Sequence, residues 1–390
     1  MNRSTVIVAC VCAWLTACAT TGNKFAAGIE CAATNFTVDD QFDGARRGQC
    51  RVLGDRVQLT ITPEDEGKIN DSAWFAFRLI ANEPARADIE LVYVGGHHRY
   101  SPKRSTDSMA WEALPAAAVT VDKRGRRARF SVDVGVQPVF VAGQALVLPQ
   151  TDKRWLDAIG ERMGSVPEPL GRSLEGRPIH ALETGAELPD VVYLVGRQHP
   201  PEVTGSFGFK GFVEAVMGDT PLAREFRANF GVVMVPMMNP DGVVAGHWRH
   251  NQGGMDLNRD WGGFTQPETR SVLARIDQHV ASGRRPQLFL DFHSTRRNVF
   301  YTQPDGDPSE PTDFALRWLG AAQPDLQDYP FDHARRHNAG LPTSKNYINE
   351  RFGIPAITYE VGDTTTRDNA TRAAHVFAAA MMRLLLERQP

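Results

Sequence analysis

The sequence predicts two units of different architecture: an all-β sandwich over residues 35–150, then a mixed α/β sheet covered by helices over residues 151–390. Three observations carry this expectation. Short alternating segments separated by turn-rich stretches fill the first part, apolar strands alternating with helical stretches fill the second, and the pattern switches near Pro149. A chain of 390 residues is also longer than one ordinary core organises. With 42% hydrophobic and 23% charged residues it is globular in composition, and a formal charge of −3 gives no electrostatic case for nucleic acid.

The first 17 residues are expected to be removed. Arg3 is followed by the apolar run Val6-Ile-Val-Ala-Cys-Val-Cys-Ala-Trp-Leu15, which is too short for a stable membrane anchor and has the form of a secretory signal. Leu15-Thr16-Ala17-Cys18 resembles the lipobox of bacterial lipoproteins, implying a lipidated Cys18, a linker over 18–34 and attachment in the periplasmic cell envelope. Ordinary cleavage within Ala17-Cys18-Ala19 is the alternative. Of the five cysteines, Cys10 and Cys12 lie in the signal and Cys18 is the lipid candidate. Cys31 and Cys50 remain as an even pair, expected to form a disulfide in an oxidising compartment.

In the first unit the expected strands include Val57–Ile61, Trp74–Ile80, Ile89–Val94, Val119–Val121, Phe130–Val134 and Val139–Val141. The second opens with a helix around Asp152–Ile159. Buried strands at Val191–Val195, Gly231–Val235, Leu288–Phe292 and Ile357–Tyr359 follow, with helices at Phe207–Met217 and Thr371–Glu387. His97 and His98 are adjacent and point to opposite sides of an extended chain, which argues against a metal pair. The His333/His337 pair in the Arg-flanked "HARRH" reads as a solvated loop face.

The chemistry begins in "VGRQHPPEV", residues 195–203, directly after an apolar strand. Open α/β sheets place ligand sites at that end of a strand. His199 and Glu202 offer an imidazole nitrogen and a carboxylate oxygen, the donors zinc takes at about 2.0–2.2 Å. Pro200 and Pro201 suit a first helical turn and would stiffen the gap. An HxxE pair alone is equally a solvated loop. His293, at the mouth of the later strand "LFLDFHS", supplies a third donor, against the alternative of a core histidine satisfied by backbone. No cysteine follows Cys50, so a metal here must be held by His and carboxylate.

Taken in order, "HPPE", "NPDGVVAGHWRH", "GMDLNRDW", "DFHS" and "PAITYEVGD" resemble the successive motifs of the zinc metallocarboxypeptidases of carboxypeptidase A type. "GRSLEGRPI" resembles the family's leading strand, and the preceding β unit is similar to the cytosolic carboxypeptidase-like branch. The resemblance implies one zinc per chain on His199, Glu202 and His293, with Asp256 orienting His199. It implies Arg249 as the group polarising the scissile carbonyl, and Asn258 with Arg259 as the clamp on a free C-terminal carboxylate. Glu360 takes the place of the general base. The mobile-loop tyrosine of pancreatic-type members has no evident counterpart: the corresponding stretch reads His337-Asn-Ala-Gly-Leu-Pro342, and Tyr347 is not given that role. Lys345 falls near the position where branch members that remove acidic residues carry a basic one, so a preference for C-terminal Glu or Asp is expected. A slip of one residue would put Asn346 there, and a plain surface lysine is the other reading.

The expected activity is hydrolysis of the C-terminal bond of peptides with a free C-terminus. An amidase or deacylase of the same superfamily, acting on N-acyl amino acids or cell-wall isopeptides, is the alternative. A non-catalytic surface-binding protein is disfavoured by the intact ligand set together with Glu360.

Overall fold

The computed structural model describes residues 31–65, 71–304, 306–309 and 313–387. The expectations placed on residues 1–17 and Cys18 lie outside these. Among the described residues the N-terminal part carries β1 (Thr37–Asp39), β2 (Gln49–Leu53), β3 (Arg56–Ile61), β4 (Ala76–Ile80), β5 (Ala85–Tyr93), β6 (Lys103–Ser105), β7 (Glu112–Ala113), β8 (Thr120–Val121), β9 (Arg127–Val134) and β10 (Val139–Ala142). They form two sheets, in the orders β1-β4-β10-β6-β7 and β2-β3-β5-β9-β8. Alternation sets the inner faces: Val57, Leu59 and Ile61 of β3 and Ala128, Phe130, Val132 and Val134 of β9 are buried, and they join Phe77 and Leu79 of β4 in one apolar cluster. A disulfide joins Cys31 to Cys50 of β2.

The second part starts with α1 (Pro149–Met163), ended by Gly164 at φ 67°. Its strands are β11 (Glu168–Arg172), β12 (Pro178–Thr184), β13 (Asp190–Gly196), β14 (Phe230–Val235), β15 (Arg285–Thr295), β16 (Val299–Thr302), β17 (Asp332–Arg335) and β18 (Ala356–Gly362). They form one mixed sheet in the order β11-β12-β14-β13-β15-β18-β16-β17, whose central strands β14, β13, β15 and β18 are mutually parallel. Every residue of β13 and β14 is buried, which is why both read as unbroken apolar runs rather than alternating ones.

Helices cover both faces. On one side α1, α2 (Val203–Val216), α3 (Pro221–Asn229), α6 (Phe314–Ala322) and α8 (Arg367–Leu386) share an apolar cluster with the sheet; α5 (Pro267–Ala281) and α7 (Ser344–Phe352) pack on the other. The short α4 (Pro240–Val244) leads into the loop carrying Arg249. The fold class is the expected one, and the leading-strand motif "GRSLEGRPI" spans the end of β11 and the start of β12, while β1, β2, β6, β7, β16 and β17, with α3 to α7, went unnoticed because short or polar segments carry little periodic signal.

The two parts pack directly on each other. Trp248 and Val203 of the second part belong to the sandwich's apolar cluster. Arg99 of the first part is paired with Asp363, 2.8 Å from Nε to Oδ2, and its Nη2 also donates to the carbonyl of Ser294 at 3.4 Å.

Candidate metal centre and active site

The parallel strands end together, with β13 at Gly196, β15 at Thr295 and β18 at Gly362. His199 follows β13, Glu202 is the N-cap residue of α2, and His293 sits near the end of β15. Pro200 and Pro201 lie in a turn ahead of α2, not in its first turn as expected; Glu202 N donates to the carbonyl of His199 at 3.3 Å to close it. Gly205 lets the helix reach the strand, because a Cβ there would stand 2.5 Å from the carbonyl oxygen of His293.

Three side chains converge. His199 Nδ1 lies 2.9 Å from Glu202 Oε1, His293 Nδ1 lies 2.8 Å from Glu202 Oε2, and the two Nδ1 atoms are 3.2 Å apart. Around a tetrahedral ion with bonds of about 2.0–2.1 Å, neighbouring donors stand about 3.3 Å apart. All three side chains are buried.

The opposite ring nitrogens explain why a cation fits. His199 Nε2 is 2.9 Å from Asp256 Oδ1, and His293 Nε2 is 2.9 Å from Asp291 Oδ2. A carboxylate accepts, so each Nε2 carries the proton and a neutral ring turns a bare Nδ1 lone pair toward Glu202. Two lone pairs and a carboxylate facing one point are an all-acceptor set that a divalent cation would satisfy. Burial alone would raise the Glu202 carboxyl, yet the two imidazoles hold it well below the ordinary range. Burial would lower His293, but Asp291 and Glu202 raise it well above its ordinary value, so a cation bound here would take the place of a proton on Nδ1, and only then is that lone pair bare.

Asp256 does more than orient His199. Its Oδ1 accepts from Asn258 N at 2.9 Å, capping the tight turn Leu257–Arg259, and its Oδ2 accepts from Arg249 Nε at 2.7 Å. Burial opposes its charge, but His199, Arg249 and Arg259 hold it far below the carboxylate range.

Glu360 stands opposite His293 in the ladder between β15 and β18. Its Oε2 is buried with no hydrogen-bond partner. Burial, with Glu202 beside it, pushes its carboxyl up to about 7, against the pull of His293, His199 and Arg99. A carboxylate with that pKa and a free acceptor is suited to taking and returning a proton near neutrality.

His199, Glu202, Asp256 and Glu360 line an open cleft of about 410 Å³ that also presents Arg249, Asn258, Arg259, Tyr301, His337 and Lys345. Asn258 is partly committed: its Oδ1 accepts from Ser344 N at 2.9 Å, joining the turn to the start of α7. Arg259 Nη1 donates to the carbonyl of Asn258 at 2.7 Å. Thr343 caps α7 through Asn346 N, a contribution of about 1 kcal/mol that fixes Lys345 in the first turn. Lys345 Nζ donates to Asn346 Oδ1 at 2.6 Å and is not the surface lysine of the alternative reading; burial lowers its pKa to about 8, with Glu350 pulling the other way.

Several participants were not found from the sequence. Asp291 was quoted only as part of a strand, although a carboxylate two residues before a ligand on the same strand face was a usable signal. His337, expected on a solvated loop face, lines the cleft and stacks on Tyr301 with ring centroids 3.8 Å apart. Burial and Glu360 push the Tyr301 phenol up to about 12. Tyr347 is away from the cleft, packed against Phe264 and Trp261. His97 and His98 go to separate partners, Asp71 and Tyr93.

A profile of the zinc carboxypeptidase family matches residues 153–381. The chain belongs to that family. This zinc carboxypeptidase family member is 36% identical over 148 residues to cytosolic carboxypeptidase 2 of Xenopus tropicalis, covering 34% of this chain and 15% of the relative. It is 38% identical over 112 residues to human cytosolic carboxypeptidase 4, covering 27% of this chain and 10% of the relative. The chain thus matches only a small part of the length of these curated relatives. Its fold is like that of a metallo-carboxypeptidase from Burkholderia cenocepacia, with TM-score 0.73 and 22% identity over 90% of this chain and 98% of the other. A metallo-carboxypeptidase from Pseudomonas aeruginosa gives TM-score 0.72 and 18% identity over 90% and 100%. Both likenesses extend across the sandwich as well as the α/β part.

Proposed function

We propose that this protein is a zinc-dependent carboxypeptidase that releases the C-terminal residue of peptides and favours acidic ones. The observation that carries the reading is the convergence of His199, Glu202 and His293 beside Glu360, in a cleft that also presents Arg249, Arg259 and Lys345. His199, Glu202 and His293 would hold one zinc ion. When bound, zinc supplies Lewis acidity toward the scissile carbonyl and lowers the pKa of water to about 7.

The remaining work falls to the protein's own groups. Glu360 Oε2 accepts a proton from the attacking water and returns it to the leaving amine, which its pKa of about 7 allows without a large cost either way. Arg249 is aimed by Asp256 and donates to the carbonyl oxygen as negative charge gathers on it. The Arg259 guanidinium, with the Asn258 amide, binds the substrate's free carboxylate and sets which bond is presented. Lys345, cationic below about pH 8, faces the departing residue's side chain and favours a carboxylate there.

A free-acid peptide compared with its C-terminal amide tests this. The free acid should be cut at least about 10²-fold faster in kcat/KM, as expected when a charged clamp loses its partner; equal rates would exclude an exopeptidase and favour an amidase or deacylase. Attachment to a bacterial envelope through Cys18 is a further part of the proposal, supported by residues 6–18 alone. Radiolabelled palmitate incorporation that vanishes in Cys18→Ser is the expected result.

A further inference from the structure

We propose that Glu64, in the β-sandwich part, is a positioning residue for catalysis: it holds the backbone of the loop from which Arg249 reaches the cleft. Glu64 Oε2 accepts from Trp248 N at 2.7 Å, and Oε1 accepts from Arg249 N at 2.9 Å and His250 N at 2.7 Å. Three consecutive amides thus close on one carboxylate whose side chain is only 3% exposed. Successive backbone N–H groups arranged this way form an anion-binding concavity, and here the anion comes from another part of the same chain.

The neighbouring residues hold the loop on the same side. Asp65 Oδ2 is 2.5 Å from His250 Nδ1. Trp248 is fully buried within the sandwich's apolar cluster, and a Cβ on Gly96 would come within 2.6 Å of its ring. Gly246 has φ of +64°, and a Cβ there would stand 2.7 Å from the carbonyl oxygen of Ala45. The loop is therefore shaped by the sandwich before Arg249 extends from it. Arg249 then donates through Nε to Asp256, which bonds His199, so one line of contacts runs from Glu64 to the metal-facing imidazole.

Glu64, Asp65 and His250 also lie close enough together to suggest a second cation site. Both Glu64 oxygens already accept amide protons, which leaves them committed to the loop. The geometry assigns this cluster to positioning and gives the sandwich a part in the reaction. A misplacement of about 1 Å in a group acting on the transition state costs about 10²-fold in rate.

The inference rests on Arg249 acting in the reaction, so the experiment is a double-mutant cycle on kcat with the zinc-loaded full-length protein. Glu64→Ala should lower kcat by about 10-fold or more with KM changed much less, as expected when a group is displaced in the transition state rather than in substrate binding. In an Arg249→Ala background the same change should cost nothing further, because the group that Glu64 positions is already gone. Glu64→Gln, which keeps one acceptor oxygen and the shape, should fall between wild type and Glu64→Ala, and it carries the same cycle if the alanine variant does not fold. Equal proportional losses in both backgrounds, or an undiminished kcat in the single variant, would overturn the proposal. An Arg249→Ala variant with full kcat would instead remove the arginine's role, and the two failures are distinguishable.

Discussion

Glu360 lies directly across the β15–β18 ladder from His293, so the imidazole proposed to face the metal and the carboxylate proposed to handle the proton are held by adjacent parallel strands. Neither depends on a loop for its backbone position. Glu360→Gln keeps the shape and removes the proton acceptor, so kcat should fall by at least about 10²-fold. Zinc content measured by atomic absorption should stay at one per chain, because Glu360 is not among the three converging donors. A variant that turns over at the wild-type rate would take Glu360 out of the mechanism.

Asp291 fixes the proton on His293 Nε2 and is itself held by Gln198 Nε2 and Ser344 Oγ, each 2.5 Å from Oδ2. Asp291→Asn retains an acceptor oxygen but loses the charge that strengthens the ligand, and zinc affinity should drop about 10–100-fold in a chelator competition titration. Chelator should inactivate the wild-type protein, and added zinc should restore it. Unaltered affinity in the variant would mean that His293 is oriented by something other than this carboxylate.

The sequence exposed what is local and periodic. β13 and β14 are buried on both sides and so read as continuous apolar runs, and the site motifs lie at their ends or in the loops between elements. Less visible was what depends on contacts between distant segments: spacing alone puts Asp291 on the strand face of His293, but that Gln198 and Ser344 hold its carboxylate there is visible only in the fold. The strand pair β16 and β17 has mixed polarity and four residues in each strand, yet it brings Tyr301 to the cleft and leads into His337. The same reason hid Glu64, an acidic residue in a turn whose three donors are about 185 positions further along.

Phe377 of α8 is fully buried among aromatic rings, with centroids 4.7 Å from Phe300 and 5.4 Å from Tyr359, the residue before Glu360. Tyr359 in turn stacks on Phe300 at 4.2 Å, so this cluster backs the strand that carries Glu360. Phe377→Ala should cost about 3–5 kcal/mol through lost contact and an unfilled cavity. Urea unfolding should show a lower midpoint at an unchanged m-value. A loss below about 1 kcal/mol would show that the rings repack around the gap.

The proposed acidic preference, if set by Lys345, carries a pH dependence whose sign follows from the burial of that lysine. The side chain loses charge more easily than a free lysine, with a pKa lowered to about 8, so it is cationic below that value and neutral above it. Attraction for a C-terminal Glu or Asp side chain is therefore present at pH 7 and fades as pH rises through about 8. The quantity to follow is the ratio of kcat/KM for an acidic to a neutral C-terminal residue, because titration of Glu360 affects both substrates alike and cancels. That ratio should fall between pH 7 and 9, by roughly 10-fold if one partly buried charge pair of about 1.4 kcal/mol is lost. Lys345→Met should give the low ratio at every pH. A ratio that stays constant across this range in the wild-type protein would show that the departing side chain does not meet Lys345, and specificity would then have to come from other walls of the cleft, such as Tyr301 and His337.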